Sequence, residues 1–383
     1  MPISEKRRHD RIPRVQDVVD MLADFFPPQL AEEWDNVGLN LGDPAAPVKK
    51  IFVSLDPSPK AIARAAGKGG SALVCHHPLL GFEQLKRLDF STPFGNLIAQ
   101  AIHGEVAVIA AHTNADWGIG GTNDTIAQKL GLVDVRPWET LYPEEFRKLV
   151  VFVPSSHIEP VGEAIFQAGG GIIGDYAKCS YRSDGHGTYL PQSGADPYAG
   201  QVGKLSVEPE IRLEVRVPLA RVDAVVAAMI AAHPYEEVAF DLYPTERQNP
   251  QGGRARIGRL PRTATLSAFA MRAAKTLGVT SGRLIGDPKQ PVSRVAINTG
   301  TGADLIDQLV HHPDTVLVTG DVKYHQACKA RDHGLGVVDL GHYGTELPFV
   351  EAVVPRLRNA LRKAGKTATV TACRPEGDPF KKI

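Results

Sequence analysis

The sequence predicts an α/β body built from two separated stretches of chain and interrupted by an inserted α+β domain. Strand-length apolar runs alternate with helical patterns up to Pro143 and again beyond residue 248, the rhythm of a mostly parallel sheet with connecting helices. Between them the order becomes β-α-β-β-α-β, which fits a ferredoxin-like unit of about 100 residues. The segment RQNPQGGRAR (247–256) has the composition of a linker. The expected division is therefore 1–143 and 248–383 for the halves of the body and 144–247 for the insert.

Each element has its own signal. After a charged tail, VQDVVDMLADF (15–25) places apolar residues at helical spacing and stops at Pro27-Pro28, which cannot continue a helix. The turn-rich EEWDNVGLNLGDP follows, then strand IFVSL (51–55), helix 59–66, strand SALVC (71–75), helix 93–103, strand 106–111 and helix 123–130, with Asn123 or Asp124 as its expected N-cap. In the insert, KLVVFV (148–153) reads as a strand and 158–167 as a helix, and a glycine-rich turn spans 169–174. Two strands flank the loop GTYLPQSGADPYAG, the second being the alternating EIRLEVRV (210–217), before helix 219–232 and strand 238–243. The body resumes with helix 266–277, strand 294–298, helix 303–310, strands TVLVT (315–319) and GVVDL (336–340), and helix 347–364.

The chain has 383 residues, enough for two or three domains, with 43% hydrophobic and 22% charged residues. Lys+Arg and Asp+Glu both total 43, a balance that argues against an electrostatic nucleic-acid binder. Cys75, Cys179, Cys328 and Cys373 are far apart and form no C-x-x-C pair, so a disulfide framework or thiolate zinc knuckle is not expected. The charged N-terminus lacks an apolar signal region, and no apolar run approaches the ~20 residues needed to span a bilayer. The expected compartment is the cytoplasm, with no membrane association.

The candidate chemistry lies at strand ends, where open α/β sheets bind ligands. His76-His77-Pro78 follows strand 71–75, and His112-Thr113-Asn114-Ala115-Asp116 follows strand 106–111. Asp321 and His325 follow strand 315–319, and His342 and Glu346 follow strand 336–340. Adjacent side chains on a strand point to opposite faces, so His76 and His77 serve one metal only if the chain turns, or else two different ones. Thr345 reads as an N-cap with Glu346 opening the helix, which leaves His342 in the loop before it. Parallel strands would bring all four junctions to one edge of a single sheet. Five ligands, His76, His77, Asp116, His342 and Glu346, exceed what one tetrahedral ion needs and suit two ions sharing a carboxylate. Imidazole with carboxylate accepts Zn, Fe, Mn or Co. Thr299-Gly300-Thr301-Gly302, between strand and helix, is a weak phosphate signal. His311-His312-Pro313 precedes a strand and reads as surface, and Cys75 reads as a small core residue.

At these residues the chain resembles the NIF-three-like family, also called GTP cyclohydrolase 1 type 2 homologues. The matching stretches are EEWDNVGLNLGDP, VCHHPLL, AAHTNADWGIGGTND, VTGDVKYHQA and GHYGTE. The resemblance implies a two-metal site on His76, His77, Asp116, His342 and Glu346, with Glu346 bridging, and a toroidal homohexamer. It also implies that the insert is a PII/CutA-like domain, through GTYLPQSGADPYAG and HPYEEVAFDLYP. Thr299 departs from the family, which usually has glycine there. Two functions follow as expectations. One is a metal-dependent hydrolase of a nucleotide or related heterocycle, with Asp321, His325 or His112 moving protons. The other is a non-enzymatic metal-binding scaffold or adaptor.

Overall fold

Local sequence explains the first layer of structure. An apolar stripe buries Val15, Val18 and Leu22 of helix α1 (Val15–Phe25), and fully buried five-residue runs form β3 (Ser71–Cys75) and β4 (Val106–Ala110). The computed structural model describes residues 11–67, 70–81, 87–141, 145–174, 176–245, 252–312, 314–374 and 376–381. Most of the charged tail, the Pro143 boundary, Pro313 and residues 247–251 of the expected linker lie outside them. The chain divides into two units, Met1–Leu141 with Pro250–Ile383, and Tyr142–Asn249.

In the first unit, β1 (Gly38–Leu41) and β2 (Lys50–Ser54) precede helix α2 (Pro59–Ala65) and β3; helix α3 (Pro93–His103) precedes β4. Short helices α4 (Thr113–Trp117) and α5 (Thr122–Lys129) lead to β5 (Val133–Pro137) and β6 (Thr140–Leu141). The second unit holds β7 (Phe146–Pro154), α6 (Ile158–Gln167), β8 (Ser180–Tyr189), β9 (Ser206–Pro218), α7 (Val222–Ala232) and β10 (Phe240–Pro244). The first unit then continues through β11 (Gly252–Gly253), β12 (Arg256–Thr265), α8 (Leu266–Leu277), β13 (Arg283–Ile285), β14 (Pro291–Ile297) and α9 (Ile306–Leu309). It ends with β15 (Thr315–Thr319), α10 (Tyr324–Asp332), β16 (Val337–Asp339), α11 (His342–Glu346), α12 (Pro348–Lys363) and β17 (Thr369–Ala372).

The first unit contains two main sheets, not the single one expected. One has the order β1-β4-β3-β2-β17, parallel except for β1. The other has the order β13-β16-β15-β14-β12-β5, with only β14, β15 and β16 parallel. Each sheet is covered on both faces. Ile51, Val53 and Val74 pack with α1 and with Phe349, Val353 and Leu357 of α12, while Leu73, Cys75 and Val108 pack with Ile62 and Ile98. In the second sheet Val295, Val316 and Val338 pack with Ile126 and Phe269, and Leu317 and Val337 with Ile306 and Ala330. Each such fully buried aliphatic side chain contributes about 1.5–3 kcal/mol. Among the described residues, no helix is long and apolar enough to cross a membrane.

In the second unit, four antiparallel strands take the order β10-β7-β9-β8. Leu149, Val151, Leu213 and Val215 bury against Val161 and Ile165 of α6 and Val225 and Met229 of α7. Two sequence expectations need correction here. Arg256 is no linker residue: it opens β12 and is 1% exposed. Its guanidinium donates to both oxygens of Asp124 (2.6 and 3.0 Å) and to the carbonyls of Gly253, Ala255, Trp117 and Gly118. The N-cap of α5 is Gly121, not Asn123 or Asp124. Asn123 instead donates to the Asp116 carbonyl (3.0 Å) and accepts from Thr299 N (3.2 Å), which ties the two sheets together.

Candidate metal centre

The first sheet supplies three of the five expected ligands. Where β3 ends the chain turns at once, with His76 N and His77 N both donating to the Leu55 carbonyl (3.1 and 3.0 Å). This removes the strand alternation, and the two rings lie 5.1 Å apart. Beyond β4, α4 carries Asp116, and His112 precedes it. The second sheet supplies the others. Gly341, at φ +74°, turns the chain out of β16 into α11. His342 is thus helical, not a loop residue, and faces Glu346 at i,i+4. Thr345 is no N-cap; its hydroxyl donates to the Gly341 carbonyl (2.9 Å) and accepts from Gly300 N (3.1 Å). Gly300, at φ +58°, packs so closely that a Cβ there would lie 2.1 Å from Glu346 Oε1. The 299–302 turn therefore shapes the Glu346 pocket.

The carboxylate of Glu346 lies between the two sets. Its Oε1 is 3.6 Å from His76 Nε2, which is also 3.6 Å from Asp116 Oδ2. Its Oε2 is 2.9 Å from both His77 Nε2 and His342 Nε2, and these two nitrogens are 3.3 Å apart. The ligand atoms of His76, Asp116 and Glu346, and those of His77, His342 and Glu346, form two compact trios that could each hold a metal ion. His76, His77 and His112 form a third group of that kind.

Every one of these imidazoles has its Nδ1 engaged. His76 Nδ1 meets the Ala111 carbonyl (3.1 Å), His77 Nδ1 meets Asp56 (2.7 Å), His342 Nδ1 meets Asp321 (2.8 Å) and His112 Nδ1 meets Asp35 (2.9 Å). Oxygen acceptors at Nδ1 place the proton there and leave the Nε2 lone pair as the donor toward the centre, the arrangement of outer-sphere support around metal-binding histidines. Asp321 thus orients His342 and adopts φ +52° to do so. His112 is brought to the cluster, with rings 5.0 Å from His76 and 5.5 Å from His77. His325 is not: it is exposed on α10 and contacts the ring of Tyr324. Asp35 and Asp56 were missed by the sequence reading, although Asp56 follows β2 as the other candidates follow their strands. Cys75 is buried in the core beside Leu73 and Ile98.

Electrostatically the cluster favours positive charge. Burial lowers the His77 pKa, but the carboxylates of Asp56 and Glu346 outweigh it and raise the group to about 10. The Glu346 carboxylate, 2.9 Å away, raises His342 to about 9. Burial pushes Glu346 up, and the surrounding histidines, His76 first, hold it well below its ordinary range. Burial raises Asp116 despite the pull of His76. Three buried atoms of the cluster, His76 Nε2, Asp116 Oδ1 and Glu346 Oε2, have no hydrogen-bond partner; the 2.9 Å approaches to Glu346 Oε2 lack hydrogen-bond geometry. Buried polar atoms left this way are costly, and cations held at the two trios would offset that cost. The residues therefore fit a metal. A cleft of about 620 Å³ opens beside them, lined by His77, His342, Asp321, Arg283, Tyr343 and Phe380 among others.

A family model described as Duf34/NIF3 (NGG1p interacting factor 3) matches residues 13–379. A GTP cyclohydrolase 1 type 2 homolog of Bacillus subtilis is 36% identical over 365 residues, 95% of this chain and 97% of the relative. One from Mycobacterium tuberculosis is 36% identical over 373 residues, 96% of each chain. Among solved structures, a Bacillus cereus protein related to NIF3 matches with a TM-score of 0.74 at 34% identity, covering 97% of this chain and 100% of that one. A Staphylococcus aureus protein matches with a TM-score of 0.81 at 26% identity, covering 97% and 99%.

Proposed function

This chain belongs to the Duf34/NIF3 family, and from that premise we propose that it holds two divalent metal ions and hydrolyses a nucleotide or related heterocycle. His76, Asp116 and Glu346 would hold one ion and His77, His342 and Glu346 the other, with Glu346 shared. The observation that carries the reading is the pair of trios meeting at one buried carboxylate, with each histidine turned by an acceptor at Nδ1 so that Nε2 faces inward. A metal pair in such a site supplies Lewis-acid activation for hydrolysis. The donor set of nitrogen and oxygen alone suits Zn, Fe, Mn or Co.

The chain's own residues do the rest. Asp56 and Asp321 fix the tautomers of His77 and His342. His112, backed by the buried Asp35, is placed to pass a proton at Nε2 to or from a leaving group. The adjoining cleft has room for a small molecule, and the names of the relatives point to nucleotides.

The insert is read as ferredoxin-like and PII/CutA-like. Numbered within the insert, its strands take the order 4-1-3-2, with both helices on one face. Deletion of 144–247 with a short linker should leave a soluble body that still loads metal; loss of both would place the insert in the core. The toroidal hexamer belongs to the same proposal and rests on family membership, and the cytoplasmic location is proposed from four dispersed cysteines without a C-x-x-C pair.

The test is reconstitution of the apo-protein with Zn, Mn or Fe, followed by elemental analysis and turnover of a nucleotide panel. Two ions per chain and metal-dependent hydrolysis are expected. Metal bound at full occupancy without turnover of any nucleotide would support a scaffold instead.

A further inference from the structure

The inserted unit carries a second cavity, of about 730 Å³, that the metal centre does not use. This size is typical of small-molecule sites, about 300–1,000 Å³. It lies where β8 and β9 meet the segments 189–198 and 235–239. These walls are held in place without a ligand. Tyr189 Oη donates to the Ala199 carbonyl (3.0 Å), and Asp196 N donates to Glu236 (3.0 Å). His233 donates through Nε2 to the Phe152 carbonyl (3.0 Å) and accepts from Tyr235 N (3.1 Å), so its ring braces the 233–235 turn.

The lining is aromatic and acidic. Tyr189 and Tyr198 both stand against Tyr235, with ring centroids 6.1 and 5.9 Å away. At the base is Glu210, only 8% exposed. Tyr235 donates to its Oε1 (2.9 Å), and its Oε2 occupies space that a side chain at Gly187 would fill, 2.2 Å from where a Cβ would stand. Gly187 thus keeps room for a carboxylate on this face. The cavity's other acids are Asp184, Glu236 and Glu237, and its one arginine, Arg212, is bound to Glu214 (3.0 Å).

We infer that this cavity is a binding site for a small organic cation carrying N–H donors, a guanidinium or alkylammonium compound, held by the Glu210 carboxylate and the faces of Tyr189, Tyr198 and Tyr235. Among the described residues the Glu210 carboxylate is hydrogen-bonded to the Tyr235 phenol alone, and such a buried carboxylate favours a cationic N–H donor, while aromatic faces attract the same charge. Four carboxylates against one already paired arginine repel anions, so a nucleotide phosphate is disfavoured here. A bare metal ion is disfavoured as well. Among the described residues these acids do not come together in a ligand trio, as His76, Asp116 and Glu346 do.

The test uses the full-length protein and calorimetric titration with agmatine, with choline as a cation lacking N–H donors and GMP as an anion. Agmatine should bind once per chain and more tightly than choline, and GMP should not displace it. Glu210→Gln should weaken agmatine at least about tenfold while leaving the metal content of the protein unchanged. Tyr198 is half-exposed at the rim, so Tyr198→Ala should also weaken binding without threatening the fold. Absence of agmatine binding up to about 10 mM, equal affinity in both variants, choline binding as tightly as agmatine, or displacement by GMP would each overturn the assignment.

Discussion

Replacing Glu346 by Gln keeps the side chain's size and removes the charge that both candidate metal trios share. Two dications about 4 Å apart, typical of two-metal sites, repel by about 16 kcal/mol at an effective dielectric constant of ~20, four times the ~4 kcal/mol of a unit pair. Of the five ligands only Asp116 and Glu346 carry negative charge, and only Glu346 reaches both groups of histidines, at 3.6 Å from His76 and 2.9 Å from His77 and His342. A unit charge about 4 Å from each ion attracts it by about 8 kcal/mol on the same scale, so with two ions bound Glu346 would offset roughly the whole of their repulsion. If relaxation and solvent recover four-fifths of that, roughly 3 kcal/mol remains, more than a hundredfold in affinity. Calorimetric titration of apo Glu346→Gln with Zn or Mn should show both sites weakened together, whereas His77→Ala should weaken mainly one. Were Glu346 placed only to favour the start of α12, its loss would cost about 0.3–1 kcal/mol of stability and leave metal binding intact. Wild-type stoichiometry and affinity in Glu346→Gln would refute the shared carboxylate.

Asp321→Asn retains an acceptor for His342 Nδ1, and Asn tolerates the left-handed conformation found there. It should lower affinity about 10–100-fold at the His77–His342 trio alone; titration curves identical to wild type would show that Asp321 does not support this ligand. Arg256→Met leaves Asp124 and four carbonyls without their guanidinium and should cost about 3–5 kcal/mol, read as a lower urea midpoint. A midpoint equal to wild type would contradict the role given to this buried pair. In metal-free protein His77 and His342 titrate near 10 and 9 against 6.5 when unfolded. Their stabilising contribution is therefore complete below about pH 6.5 and lost as pH rises through 9 to 10. Urea midpoints of apo-protein should fall over that window, and a flat profile there would argue against these ion pairs.

The strands that frame the centre were legible because they are apolar on both faces: the expected 71–75 is β3 (Ser71–Cys75), and 315–319 is β15 (Thr315–Thr319). What escaped was pairing, since hydrophobic periodicity does not say which strand lies beside which. β12 was hidden because RIGRLPRTAT mixes arginines with a proline, and Arg256 is buried only because Asp124 waits across the fold. β1 lay inside a turn-rich stretch, its Gly38 at φ +94°, and pairs antiparallel with β4 at the sheet edge. All five candidate ligands were visible as residues after strands, but their convergence from two sheets was not. The helical turn at His342–Glu346 was missed for the reason that one turn of helix has no periodicity to read. Asp35 and Asp56 act through other residues, and their partners are distant in sequence, 77 and 21 positions away.

The central claim is that two ions share Glu346. Anomalous diffraction from crystals of the protein loaded with Zn, recorded at the metal edge, tests it most directly. Two peaks per chain are predicted, one against His76 Nε2 and Asp116, the other against His77 Nε2 and His342 Nε2, with Glu346 reaching both. A single peak, or peaks away from these side chains, would contradict it.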